Sequence, residues 1–188
     1  MKKINLIILT FLILVPMKLH ALIEVDITRG NLNPLPIAVS ALYSDNETIE
    51  ALKKEINVDE IGNEISLVIE SNLKATGLFN PLEKKAFLQK PDVAHLKPRF
   101  EDWSLIKAQA LITGKVEFKD DRVRVEFRLW DVLAGREMLA LAFTTVPNNW
   151  RRIGHIISDK IYERLTGEKG YFDTRIIYVS EEGPKTAR

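Results

Sequence analysis

His155, Ser158 and Asp159 carry the residue types of a nucleophilic triad, spaced i, i+3 and i+4. At that spacing all three side chains leave one helical cylinder, with Ser158 and Asp159 beside His155. A working triad instead sets the base between nucleophile and orienter, usually from separate elements, with an oxyanion hole nearby. The chain has no G-x-S-x-G elbow and no glycine-rich phosphate loop. The spacing therefore predicts a solvated helix face with a His–Asp pair. No residue is assigned a catalytic role.

Metal chemistry fares no better. The histidines are His20, His95 and His155, none has a second histidine at ligand spacing, and there is no cysteine. Asp120, Asp121 and Asp131 could suggest a calcium loop, but acidic residues at hairpin turns more often bond their own backbone. No metal, cofactor or small-molecule substrate is expected. Arg122, Arg124 and Arg128 form a basic stripe with Glu126 among them and no aromatic platform, which predicts a solvated strand face, not a nucleic-acid reader.

The N-terminus points to export. Met1-Lys2-Lys3 is basic, residues 4–15 are almost wholly apolar, and Ala21 offers a small residue for cleavage. This is the pattern of a secretory signal peptide over residues 1–21, too short to span a bilayer, which needs roughly 20 apolar residues. Removing Lys2, Lys3 and Lys18 lowers Lys plus Arg from 27 to 24 against 26 acids. Such a nearly neutral chain has no electrostatic pull toward nucleic acid or anionic membrane. With no disulfide available after export, a packed core must hold the domain together.

The next segment is Leu22, Ile23, Glu24, Val25, Asp26, Ile27, Thr28 and Arg29. Ile23, Val25 and Ile27 alternate with Glu24, Asp26 and Thr28, as in a strand, and Gly30-Asn31-Leu32-Asn33-Pro34 then makes a tether. An extended arm of this kind can add to a partner's sheet edge through its backbone, with alternate side chains in pockets. It can equally fold back as the edge strand of its own domain. Periodicity leaves both open.

Periodicity also sketches the domain. Residues 36–43 are mostly apolar, as a strand buried on both faces would be. Residues 45–55 read as a charged helix or loop. Asn57 with Glu60 resembles a capping box, opening a helix through Ile61, Ile65, Val68, Ile69 and Leu73 to Gly77. Residues 79–82 are extended, residues 84–98 read as loop, and residues 100–107 as a short helix with Trp103 and Ile106 inward. Strands over 110–118, 123–129 and 137–146 predict an antiparallel meander with one wet face. Asn148 or Asn149 then caps a helix with Trp150, Ile153, Ile157, Ile161 and Leu165 on its inner face. The expected class is α/β (α+β): a mixed sheet with an antiparallel meander, covered by two to three helices.

One strand has no place in this plan. Residues 174–179, Thr-Arg-Ile-Ile-Tyr-Val, are β-branched and aromatic, whereas residues 180–188 are polar and broken by Gly183-Pro184. A strand needs a partner, so it joins the existing sheet or begins a second domain absent here.

The run from Trp150 to Val179, WRRIGHIISDKIYERLTGEKGYFDTRIIYV, resembles the TolB family of the Tol–Pal system. The likeness extends through Gly77-Leu78-Phe79-Asn80-Pro81-Leu82, Ile112-Thr113-Gly114-Lys115-Val116, Leu129-Trp130-Asp131, residues 23–30 and Pro36-Ile37-Ala38-Val39. That resemblance implies a periplasmic, non-enzymatic adaptor with an N-terminal α/β domain and a six-bladed β-propeller. It divides the chain into a signal peptide (1–21), an arm and linker (22–35), the α/β domain (36–170) and the first strand of a truncated propeller (171–188). It further implies that Leu22 to Arg29 bind the inner-membrane protein TolA, and that the lipoprotein Pal contacts mainly the propeller. Outer-membrane integrity, invagination at division and toxin import are the associated roles. The alternatives are a stand-alone exported domain binding peptide or carbohydrate in a sheet groove, and a truncated remnant.

Overall fold

The computed structural model describes residue 23 and residues 33–174. The strand expected over 175–179 and the arm residues other than Ile23 lie outside the described residues.

Six strands form one mixed sheet: β1 (Leu35–Val39), β2 (Tyr43–Ser44), β3 (Phe79–Pro81), β4 (Ala110–Lys119), β5 (Arg122–Asp131) and β6 (Arg136–Thr145). Their order is β3-β1-β4-β5-β6, with β2 also on β4. β1 runs parallel to β3 and β4, whereas β4, β5 and β6 form the expected antiparallel meander. Asp120 and Asp121 make the β4–β5 turn with φ of 51° and 57°. Positive φ at both turn residues is the hairpin geometry that matches strand twist, and aspartate tolerates it.

The strict alternation of β5 places Val123, Val125, Phe127 and Leu129 in the core and Arg122, Arg124 and Arg128 in solvent. On the core side lie α1 (Asn46–Ile56), α2 (Ile61–Ala75) and α5 (Trp150–Thr166). Ile65, Ile69 and Leu73 of α2 and Ile157, Ile161 and Leu165 of α5 are fully enclosed there. α2 and α5 run side by side in the same direction: Asn72 meets Ser158 further along both helices than Val68 meets Gly154. A Cβ on Gly154 would lie 2.8 Å from Val68 Cγ1, so any larger residue there requires the Val68 side chain to shift.

The other face is covered only in part. Between β3 and β4 the expected loop contains a 3-10 turn (Lys84–Ala86) and a short helix, α3 (Pro91–Ala94), and the short helix expected over 100–107 is α4 (Phe100–Leu105). Trp103, Ala94 and Val132 pack on Leu111 and Ala38 in a second cluster, with Ile106 at its margin. Buried Gln89 holds this cover together: its Oε1 accepts from Arg99 N (3.0 Å) and Trp103 Nε1 (3.1 Å), and its Nε2 donates to Lys97 O (3.0 Å). The wet face is thereby confined to β5, β6 and the far end of β4, where Lys115 and Glu117 are partly exposed.

Two local expectations are corrected. Asn57 does not start a helix but ends α1, with φ 55° and its N–H on Lys53 O; asparagine accepts the left-handed C-cap conformation almost as glycine does. α2 begins at Ile61 after Glu60, without a side-chain cap, while the capping carboxylate belongs to Asp45, which accepts from Thr48 N at 2.8 Å. The single strand expected over 36–43 is interrupted. Val39 pairs with Ile112 but Tyr43 with Lys115, one residue more on the β1–β2 side, which is a β-bulge over Ser40-Ala41-Leu42.

Candidate functional site

The three side chains at 155, 158 and 159 are split among separate duties. Asn72 Nδ2 of α2 lies 2.9 Å from His155 Nδ1 and 2.9 Å from Ser158 Oγ. Ser158 Oγ, fully buried, donates to Gly154 O at 2.8 Å. Asp159 turns the other way: its carboxylate accepts the N–H groups of Phe172 (2.7 Å) and Asp173 (3.1 Å). The base is therefore oriented by an amide and the acid is used as a backbone cap, so the expected His–Asp pair gives way to two unrelated contacts. A nucleophile whose proton is held by its own helix backbone is a packing hydroxyl.

The acidic turn residues are likewise local. Asp131, 1% exposed, accepts from Ala134 N at 2.8 Å and so closes the β5–β6 turn. Among the described residues no group of three His, Cys, Asp or Glu side chains could hold a metal ion. The arginine stripe is matched by glutamates: Arg124 meets Glu126 at 2.7 Å and Arg128 meets Glu137 at 3.0 Å.

The bulge opens a cleft. Leu42 N–H donates to Gly62 O at 3.1 Å, and Ala41, Leu42, Ile49, Asn63 and Pro91 line a cavity of about 270 Å³. A Cβ on Gly62 would stand 1.8 Å from Leu42 O, and one on Gly114 would be 2.2 Å from Glu126 O and 2.9 Å from Leu42 Cδ2. Glycines on two other elements thus seat Leu42. No spacing rule within residues 36–43 could have revealed that.

Beside the cleft, Lys84 lies over α2, donating to Asn63 Oδ1 (2.8 Å) and Ser66 Oγ (2.7 Å), with Glu70 Oε1 at 3.2 Å. Burial pushes the Glu70 carboxyl above the usual range, and the Lys84 charge only partly opposes it. This group braces the chain after β3 on α2.

Of the proposed partner-binding residues, only Ile23 is described. It is half-buried and packs against the helix-side core. The arm's root is at the end of the sheet where β1 starts; there Gln109 N donates to Pro36 O and Val132 N to Gln109 O, both at 2.9 Å. Among the described residues no helix is long and apolar enough to cross a membrane.

Together these features define an α/β domain of a mixed open sheet whose polar side chains serve packing and chain reversal. The chain belongs to the TolB family: the TolB amino-terminal domain matches residues 23–138. The Tol-Pal system protein TolB of Pelagibacter ubique (strain HTCC1062) is 74% identical over 176 residues, which cover 94% of this chain and 40% of that protein. The chain thus spans about two fifths of the length of that curated relative. TolB from Acinetobacter baumannii, a crystal structure, superposes with a TM-score of 0.59 over 75% of this chain and 30% of its own, at 23% identity. That likeness shows the fold alone.

Proposed function

We propose that the chain is the N-terminal part of a periplasmic Tol–Pal adaptor, exported by a signal peptide over residues 1–21 and acting through protein contacts without chemistry of its own. In this reading Leu22, Ile23, Glu24, Val25, Asp26, Ile27, Thr28 and Arg29 are the partner-binding arm, offered to a TolA-type inner-membrane protein. Residues 36–170 are its carrier, and residues 171–188 lead into a propeller that contacts Pal. Outer-membrane integrity, inward pull at division and toxin import then belong to the assembled system.

The observation that carries the reading is the alternating arm on its Gly/Asn/Pro tether, with Ile23 half-buried against the domain. An extended segment of this pattern can complete another chain's sheet through its backbone. The 74% identity to a Tol-Pal system protein supports the choice of partner class. The test is to delete residues 22–29 and titrate a soluble TolA domain by calorimetry. Binding is expected to disappear while the melting transition stays within a few degrees; retained affinity would refute the arm as the contact.

A further inference from the structure

After Thr166 the chain does not simply leave α5. Gly167, with φ 77°, closes the helix through its N–H on Glu163 O, and the next residues double back along the helix. Asp159 Oδ1 and Oδ2 accept the N–H groups of Phe172 and Asp173 at 2.7 and 3.1 Å. Arg152 reaches down from an earlier turn and meets the Asp173 carboxylate through Nε (3.0 Å) and Nη2 (3.0 Å). The rings of Tyr171 and Phe172 stand 5.7 and 6.0 Å from Tyr162, whose own ring meets Phe79 at 6.3 Å. Gly170 is pressed against the helix so closely that a Cβ there would lie 2.4 Å from Asp159 Cα.

We infer that residues 167–174 are a docked strap, held on α5 as firmly as the domain holds its own elements. Asp159 is its principal positioning residue. Two amides on one carboxylate, a two-nitrogen guanidinium contact and an aromatic cluster restrain the strap at three separate points. A flexible linker would have none of them. Seven residues separate Asp159 from Thr166, so at 1.5 Å per residue the strap carries the chain about 10 Å back along the helix axis. This goes beyond the adaptor reading and stands without it, since it concerns no partner.

The test uses the full chain with Asp159→Ala, Asp159→Asn, Gly170→Ala and Arg152→Ala, each studied by ¹⁵N relaxation and by trypsin cleavage after Lys169. In the unaltered protein the amides of residues 171–174 are expected to show order parameters of about 0.8, like the domain, against less than about 0.6 for a flexible tail. Asp159→Ala and Gly170→Ala should bring them below that value and speed cleavage after Lys169 at least tenfold, with Arg152→Ala intermediate. Amide exchange in β4 and β5 reports whether each variant keeps its core. Asp159→Asn retains the shape and an acceptor oxygen, so it serves where the alanine variant fails to fold and should loosen the strap less. Low order in the unaltered protein, or unchanged order and cleavage in Asp159→Ala and Gly170→Ala, would overturn the inference.

Discussion

Gly62→Ala sets helix propensity against packing and so tests the bulge directly. Gly62 sits in the first turn of α2, where alanine is intrinsically better than glycine by about 1 kcal/mol. A reading of the helix alone predicts a more stable protein. The added Cβ would instead lie 1.8 Å from Leu42 O and 2.8 Å from Leu42 C, both backbone atoms that cannot rotate away. A carbon–oxygen contact needs about 3.3 Å, so α2 and the bulge must part by about 1.5 Å. Parting them stretches the Leu42–Gly62 hydrogen bond from its present 3.1 Å, at a cost of about 1 kcal/mol. Overpacking of this kind adds about 1–3 kcal/mol. The net expectation is a loss of about 1–3 kcal/mol after the propensity gain is subtracted. Urea unfolding monitored by tryptophan fluorescence measures it, with an unchanged m-value showing that the same transition is compared. Gly154→Ala is the internal control: its Cβ meets the Val68 side chain at 2.8 and 3.0 Å, not backbone, so its cost should be smaller. A neutral or stabilising Gly62→Ala, or a reversed ranking of the two, would show that Leu42 is not seated as described.

Asn72→Ala removes the donor shared by His155 and Ser158 and should cost about 1–2 kcal/mol; a double-mutant cycle with His155→Ala should return a coupling of about 1 kcal/mol. No added esterase turnover should be lost with His155→Ala, which a chromogenic ester assay checks. Because burial raises the Glu70 carboxyl, its contribution to stability is complete below the unfolded value and is lost as pH rises through the higher folded one. Glu70→Gln should therefore flatten the stability profile between pH 4 and 7, with its advantage over the unaltered protein growing toward pH 7. Asp45 behaves oppositely: hydrogen bonds from Thr48 hold its carboxyl below the usual range, so its stabilisation is present above the unfolded value and lost as pH falls through the folded one. Asp45→Ala should cost about 1 kcal/mol of helix cap at pH 7 and less at pH 3, by the same urea titrations.

The parts legible in the amino-acid chain are those set by local period. Residues 123–129 alternate because one face of β5 is enclosed and the other wet, and the apolar rows of α2 and α5 come from burial at 3.6 residues per turn. The features hidden from local pattern depend on residues far away in the chain. The bulge at Ser40-Ala41-Leu42 is shaped by Gly62 and Gly114. The pattern Asn57 to Glu60 satisfies a capping-box rule, yet Asn57 is equally suited to end α1, and only the packing of α1 on β4 decides. Residues 84–98 read as loop because α3 is a single turn, ordered by Gln89 and Trp103. Spacing groups Asp159 with His155, but its partners are amides in a segment that must first reverse direction.

The same mismatch bears on what the domain can do. A carboxylate placed four residues after a histidine invites a catalytic reading, and here it is spent on holding Phe172 and Asp173. Likewise Asn72, whose amide orients His155, ties α2 to α5. Polar groups that could have formed a reactive centre instead tie α2 to α5 and hold the strap on α5. Chemistry would ask the opposite of these residues: unpaired protons and a nucleophile free to move. The allocation of Asn72, Ser158 and Asp159 to packing thus gives the helix layer its rigidity.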